Sequence, residues 1–287
     1  MEDLNGRVAV VTGGASGIGL GMARAFGAEG MRVVIGDIET GPREEAVAGL
    51  TAAGTEAIGI ACDVGDQGQV EALRDAALDA FGAVHVLCNN AGVAGGNAGP
   101  IWEAPQDDWD WVMGVNLQGV VHGVRAFVPA MLAQADGGHI VNTASLAGLM
   151  HGAGIYGMSK QACVGLSEAL WRDLRATGKP VSASVLCPAW VRTRIMESER
   201  NRPESPRAEV EIPAEAQAMR DLVAGLIERG LDPEDVGRQV VDAVRHDRFY
   251  ILTHPKWNGV LEARFRTILE GLDPVPVAPE GEDFPFE

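Results

Sequence analysis

Thr12-Gly-Gly-Ala-Ser-Gly-Ile-Gly19 decides the fold. It directly follows the apolar, β-branched run Arg7–Thr12 and opens a helical pattern, so a strand passes through a tight glycine turn into a helix. Glycines permit such a turn and let a pyrophosphate approach the backbone, where the unpaired N–H groups of a helix N-terminus point outward. Gly13, Gly17 and Gly19 are spaced GxxxGxG rather than GxGxxG, and a glycine-rich turn alone is also what a ligand-free tight turn looks like. The residues expected to hold a dinucleotide here are Gly13, Ser16, Gly17, Ile18 and Gly19.

Six more runs read as strands: Arg32–Asp37, Ala57–Asp63, Val84–Asn89, His139–Ala144, Val181–Cys187 and Phe249–Leu252. Their near-continuous apolar character predicts burial on both faces. Helical patterns separate them, as parallel crossovers require. The fold expected is α/β, a doubly wound seven-stranded parallel sheet with helices on both faces, in one domain over residues 1–272. Two regions break the alternation. From Arg194 to about Gly230 the chain is charged and carries Pro203, Pro206 and Pro213, which predicts an excursion outside the sheet and a helical lid over the site. Asp273–Glu287 combines proline and acidic residues with Phe284 and Phe286, and reads as a loose tail or as an arm anchored on a neighbouring subunit.

Composition limits the partners. A chain of 287 residues that is 46% hydrophobic can bury a sizeable core. A formal net charge of -17 argues against nucleic-acid and anionic-membrane binding, both of which need clustered Lys and Arg. Cys62, Cys88, Cys163 and Cys187 are scattered without a CxxC, and read as reduced, buried small hydrophobes. The amino terminus enters the first strand without a charged region followed by an apolar run, and no stretch of about 18 apolar residues occurs. A cytoplasmic protein is expected. None of the six histidines has metal-ligand spacing, so no metal is assigned; His151, lying between Ser145 and Tyr156, is either a structural histidine or a substrate-facing one.

At the carboxyl ends of the strands stand polar residues. Asp37 closes the second strand near the offset at which an acidic residue binds ribose hydroxyls, and its charge would repel a phosphate on the 2′ oxygen. No Arg or Lys stands at Ser16 or immediately after Asp37, which predicts NAD rather than NADP. Asp63, with Val64 beside it, is placed to accept from an adenine amino group, and Asn89-Asn90-Ala91-Gly92 leaves room for a ribose, with Asn89, Ala91 and Gly92 as the expected contacts.

Tyr156-Gly-Met-Ser-Lys160 places a phenol and an ammonium four residues apart in a helical segment, on one face. A nearby ammonium favours the phenolate and lowers its pKa from about 10 toward the range of general-base chemistry. Alone, such a pair is more often amphipathic packing. Here Ile140-Val-Asn-Thr-Ala-Ser145 puts a hydroxyl at a strand's carboxyl end, about ten residues upstream, where ligands of open α/β sheets sit.

The glycine turn, Asp37, Asn89-Asn90-Ala91-Gly92, Asn116, Ser145 and Tyr156-Gly-Met-Ser-Lys160 together resemble the classical short-chain dehydrogenase/reductase family, with its Rossmann fold, over roughly residues 5 to 255. The resemblance implies a homotetrameric or homodimeric NAD(P)-dependent oxidoreductase acting on a small-molecule substrate. It implies that Tyr156 exchanges the substrate hydroxyl proton, that Lys160 binds the nicotinamide ribose and depresses the tyrosine pKa, that Ser145 hydrogen-bonds the reacting oxygen, and that Asn116 holds a water leading from Lys160 to solvent. The family's Pro-Gly after the sixth strand is Pro188-Ala189 here, a departure that adds a methyl near the nicotinamide, while Val191 and Thr193 keep positions resembling carboxamide and phosphate contacts. Asn142-Thr-Ala-Ser-Leu-Ala-Gly-Leu149, Glu197-Ser-Glu-Arg-Asn-Arg-Pro-Glu204, Thr253-His-Pro-Lys-Trp257 and Glu262-Ala-Arg-Phe265 look like the branch containing Cα-dehydrogenases for lignin-derived β-aryl ethers, which oxidises a benzylic secondary alcohol to a ketone.

Leu146, Met150, Trp190, Ile195 and Met196 are the expected substrate-facing residues, with Trp102 a further candidate, in a largely apolar pocket. With no Arg or Lys assigned to the pocket a carboxylate or phosphate substrate is disfavoured, although Arg192 and Arg194 leave it open. Three functions remain: an NAD-dependent dehydrogenase of a bulky aromatic or alicyclic secondary alcohol, a carbonyl reductase working mainly in the reverse direction, and a non-catalytic dinucleotide sensor. A sensor has no physical need of Asn116, Ser145, Tyr156 and Lys160.

Overall fold

The computed structural model describes residues 1–95, 100–203 and 214–274; Pro206, Pro213 and the tail phenylalanines Phe284 and Phe286 lie outside the described residues. Strands β1 (Val8–Thr12), β2 (Arg32–Asp37), β3 (Ala57–Ala61), β4 (Val86–Asn89), β5 (Gly138–Thr143), β6 (Val181–Cys187) and β7 (Tyr250–Leu252) form one parallel sheet in the order 3-2-1-4-5-6-7. The strand order reverses at β1, whose Val10 pairs with Val34 of β2 on one side and Leu87 of β4 on the other. A crevice opens outside the carboxyl ends of strands at such a reversal. The seven-stranded, doubly wound, single-domain expectation is borne out.

Burial on both faces holds for β1, β4 and β5, in which every residue is buried, but not for β3 and β7. These are the edge strands, and Ala-Ile-Gly-Ile-Ala has the composition of a central strand while standing at an edge. β3 also ends at Ala61, two residues short of the expected Asp63, so Asp63 sits in the loop beyond the sheet.

Two apolar layers sandwich the sheet. On one face α1 (Gly17–Ala28) and α8 (Pro233–Arg245) set Met22, Phe26, Val236 and Val240 against Val11, Val33 and Ile35. These helices cross with backbones touching: a Cβ on Gly21 would stand 2.2 Å from the Pro233 carbonyl oxygen, and one on Gly237 2.3 Å from that of Gly21. On the other face α3 (Gln67–Phe81), α5 (Gly119–Ala133) and α6 (Gly154–Ala176) set Leu73, Phe127, Met131 and Leu170 against Val10, Val34, Leu87 and Ile140. Caps fix the helix starts: Asp66 accepts from Gly68 N–H and Gln69 N–H at α3, and Asp232 from Glu234 N–H at α8.

All four cysteines are buried and free, as expected, and burial pushes the Cys62 and Cys187 thiols up to about 12. Among the described residues, no helix is long and apolar enough to cross a membrane, and no His, Cys, Asp or Glu group is arranged to hold a metal ion.

Candidate active site

The carboxyl ends of the central strands open into one cavity of about 1270 Å³. Drug-sized ligands occupy roughly 300–1,000 Å³, so this space suits a dinucleotide with a substrate beside it. Gly13, Ser16, Gly17, Ile18, Asp37, Asp63, Val64, Ala91 and Gly92 line its first half. Gly13 has φ +61 and its absent Cβ would lie 2.8 Å from Ala91 Cα, so the turn tolerates no side chain there. Thr12 Oγ1 accepts from Asn90 N–H at 2.9 Å and the Asn90 amide donates to Thr12 O at 3.1 Å, tying the turn to the loop after β4. Asp37 Oδ2 accepts from Ala15 N–H and Oδ1 from Glu39 N–H, both at 3.0 Å, which fixes the carboxylate at the cavity wall with acceptor capacity left over.

Two expected cofactor contacts do not reach the cavity. Gly19 is a packing residue: a Cβ there would lie 2.1 Å from Gly13 O. Asn89 points into the core, where its amide donates to Asn142 Oδ1 at 2.9 Å and Asn142 donates to Ser167. Asn90, one residue on, is the asparagine that lines the cavity.

The second half holds the proposed chemistry. Ser145, two residues beyond β5, accepts from Ala147 N–H at 3.1 Å and hydrogen-bonds the Tyr156 hydroxyl. Lys160 lies one turn along α6 from Tyr156, its ammonium 5.8 Å from the tyrosine ring centroid and donating to Thr143 O at 2.9 Å. The sequence argument predicts a lowered tyrosine pKa. In the polypeptide alone the opposite holds: burial pushes the Tyr156 hydroxyl above its ordinary value against the bond from Ser145, and burial also depresses the Lys160 ammonium. Desolvation is the largest effect on both groups.

Asn116 is anchored by its neighbours. It sits in a π-helical turn, Gly114–Gln118, and its side chain is fully engaged with Val93 N–H, Val93 O and Ser159 Oγ at 2.8–3.0 Å. It does not line the cavity; it fastens the loop after β4 to α6 beside Lys160.

Leu146, Met150, Trp190, Ile195 and Met196 all line the substrate end, as does His151. Trp102 does not: it is 81% exposed on a short helical turn away from the cavity. Trp111 of α4 (Gln106–Met113) and Trp257 stand on the wall instead, and sequence reading missed both. Pro188, Val191 and Thr193 line the cavity too, with Thr193 Cγ2 against Gly17. From there the chain leaves the sheet and returns: Val191 bridges Leu231, and Arg192 N–H donates to Leu231 O at 2.9 Å. Between these points lie the turn Ile195–Asn201 and α7 (Ala214–Glu228), whose Val223 and Ile227 face the cavity. Arg200 from this excursion pairs with Glu39 at 2.6 Å at the Asp37 end, a cation that the local sequence around Asp37 did not reveal.

This arrangement has close counterparts. The model of the short chain dehydrogenase family matches residues 7–204. A C alpha-dehydrogenase of Sphingobium sp. (strain NBRC 103272 / SYK-6) is 36% identical, over 98% of this chain and 91% of that protein. A short chain dehydrogenase/reductase from Burkholderia phymatum, solved in complex with NAD, is 44% identical with a TM-score of 0.93, over 97% of this chain and all of the other. A short chain dehydrogenase from Burkholderia cenocepacia J2315, solved in complex with NADP, is 28% identical with a TM-score of 0.70, over 88% and 97% of the two chains. The sheet, the glycine turn and the Ser145–Tyr156–Lys160 cluster therefore belong to a member of the short-chain dehydrogenase/reductase family, an oxidoreductase of the branch that includes C alpha-dehydrogenase.

Proposed function

We propose that this enzyme uses NAD to interconvert a bulky secondary alcohol, aromatic or alicyclic, and its ketone. The observation that carries the reading is the Ser145–Tyr156 hydroxyl pair between the dinucleotide groove and the apolar end of the cavity, with Lys160 buried behind it. NAD, when bound, accepts or returns the hydride. Tyr156 takes the substrate hydroxyl proton on oxidation and returns it on reduction. Ser145 hydrogen-bonds the reacting oxygen and orients it. Lys160 supplies positive charge that favours the ionised phenol, and Asn116 holds α6 in place for both.

The turn from Gly13 to Gly17 with the start of α1 would hold the pyrophosphate, Asp37 the ribose hydroxyls, Asp63 and Val64 the adenine, and Pro188, Val191 and Thr193 the nicotinamide side. At the ribose end Arg200 is paired with Glu39 and Arg43 donates to the Asp37 backbone carbonyl, while the Asp37 carboxylate itself stands at the cavity wall. That carboxylate, which would repel a 2′-phosphate, supports NAD over NADP. The apolar lining by Leu146, Met150, Trp111, Trp190 and Ile195 supports a bulky substrate, as does the similarity to C alpha-dehydrogenase. We assign the excursion from Arg194 to about Gly230 as the substrate lid. Exposed Tyr250, Phe265, Ile268 and Leu269 along the β7 edge and α9 (Asn258–Glu270) support a homotetramer or homodimer.

Initial rates with NAD and NADP across aliphatic, alicyclic, benzylic aryl-ether and steroid secondary alcohols test this. The expected result is turnover with NAD and faster reaction with bulky than with small alcohols. Preference for NADP would overturn the reading of Asp37, and tight NAD binding with no turnover of any alcohol would overturn the reading as a whole.

A further inference from the structure

The stretch matched by the family model ends at residue 204, and the mechanism makes no use of Thr253-His-Pro-Lys-Trp257 or Glu262-Ala-Arg-Phe265. Yet this segment touches both loops of the substrate end. His254 Nδ1 accepts from Ala189 N–H at 3.4 Å and lies 2.7 Å from Thr253 Oγ1, while Nε2 lies 3.0 Å from Trp190 O. A backbone N–H only donates and a carbonyl only accepts, so Nδ1 is bare, Nε2 carries the proton, and the ring is neutral. One helical turn, Pro255–Trp257, then lowers Trp257 onto the cavity wall, where it is 4% exposed. Its ring meets that of Trp190 edge-to-face, centroids 6.2 Å apart at 69°. On the other side Trp257 and Val260 pack with Leu146, Leu149 and Met150, and the Arg264 guanidinium donates to Met150 O.

We propose that Trp257 is a specificity-determining residue of the substrate site. With Trp190 it forms an aromatic corner that takes the flat ring of an aryl alcohol, and His254 is the positioning residue that holds the corner. The inference rests on the secondary-alcohol reading above. A tryptophan needed only for packing would turn both faces to protein; this one contributes to the wall of an open cavity, between the loop after β5 and the loop after β6. A ring laid against one indole meets the edge of the other, the geometry aromatic pairs prefer.

Wild type, Trp257→Leu and Trp257→Phe are compared with NAD on α-methylbenzyl alcohol and on sec-butanol, with NAD affinity from calorimetry and a melting temperature for each protein. Trp257→Leu is expected to lower kcat/KM for the benzylic alcohol about five- to tenfold, mainly through KM, the size of one lost aromatic contact. Activity on sec-butanol and NAD affinity stay within about twofold, and Trp257→Phe keeps most of the preference. Should Trp257→Leu fail to fold, His254→Gln gives the same contrast, raising KM for the benzylic alcohol alone. Equal losses on both alcohols, or no loss on either, overturn the proposal and leave the secondary-alcohol reading standing. A wild type that oxidises neither alcohol nor any other secondary alcohol overturns both.

Discussion

Ser145 hydrogen-bonds the Tyr156 hydroxyl and stands away from the glycine turn and Asp37, so its removal tests the chemistry apart from dinucleotide binding. Ser145→Ala is expected to lower kcat/KM by about a hundredfold, the usual loss of one transition-state donor, with NAD affinity unchanged by calorimetry. A second residue sets a pH limit. His139 is buried at the amino end of β5, hydrogen-bonded to Ser184 Oγ at 2.7 Å, and burial pulls its pKa from 6.5 down to about 4. Below the unfolded value the unfolded chain takes up a proton that the folded one refuses, so this residue's contribution is full above pH 6.5 and is lost as the pH falls through the folded value. About 3 kcal/mol of stability should disappear across that window, measured by urea unfolding at several pH values, and His139→Gln should flatten the dependence.

At the scale of elements, the crossing of α1 and α8 is the most confined contact, because backbone meets backbone at Gly21 and Gly237. Gly237→Ala should destabilise the fold by about 1–3 kcal/mol in chemical unfolding, the usual cost of forcing a methyl into a packed contact. The strands, the glycine turn and the α6 face with Tyr156 and Lys160 were legible in sequence because each is a local pattern: an apolar run, a turn composition, a spacing of four. The edge positions of β3 and β7 were not, since pairing partners and not composition make an edge. Nor was the π-helical turn at Gly114–Gln118, which turns the Asn116 side chain toward Val93 and Ser159.

Across the whole molecule, the features missed in sequence are those that distant segments build together. Arg200 reaches Glu39 from 161 residues away, and Trp257 joins Trp190 from the far end of the chain. The motifs around both residues were visible, but no local pattern announces either contact. The Arg200–Glu39 pair also ties the proposed lid to the ribose end of the cofactor groove. Glu39→Gln should free that guanidinium and raise kcat/KM with NADP about tenfold at low salt, and the double variant with Arg200→Ala should lose the gain. The account as a whole turns on Tyr156 as the proton exchanger of an NAD-dependent alcohol dehydrogenase. The most direct measurement is the rate of NADH formation from a benzylic secondary alcohol by wild type and Tyr156→Phe, with NAD affinity determined for both. Turnover by wild type, a loss of about 10²-fold or more in the variant and equal NAD binding are predicted. A variant that binds NAD and turns over at the wild-type rate would contradict the account.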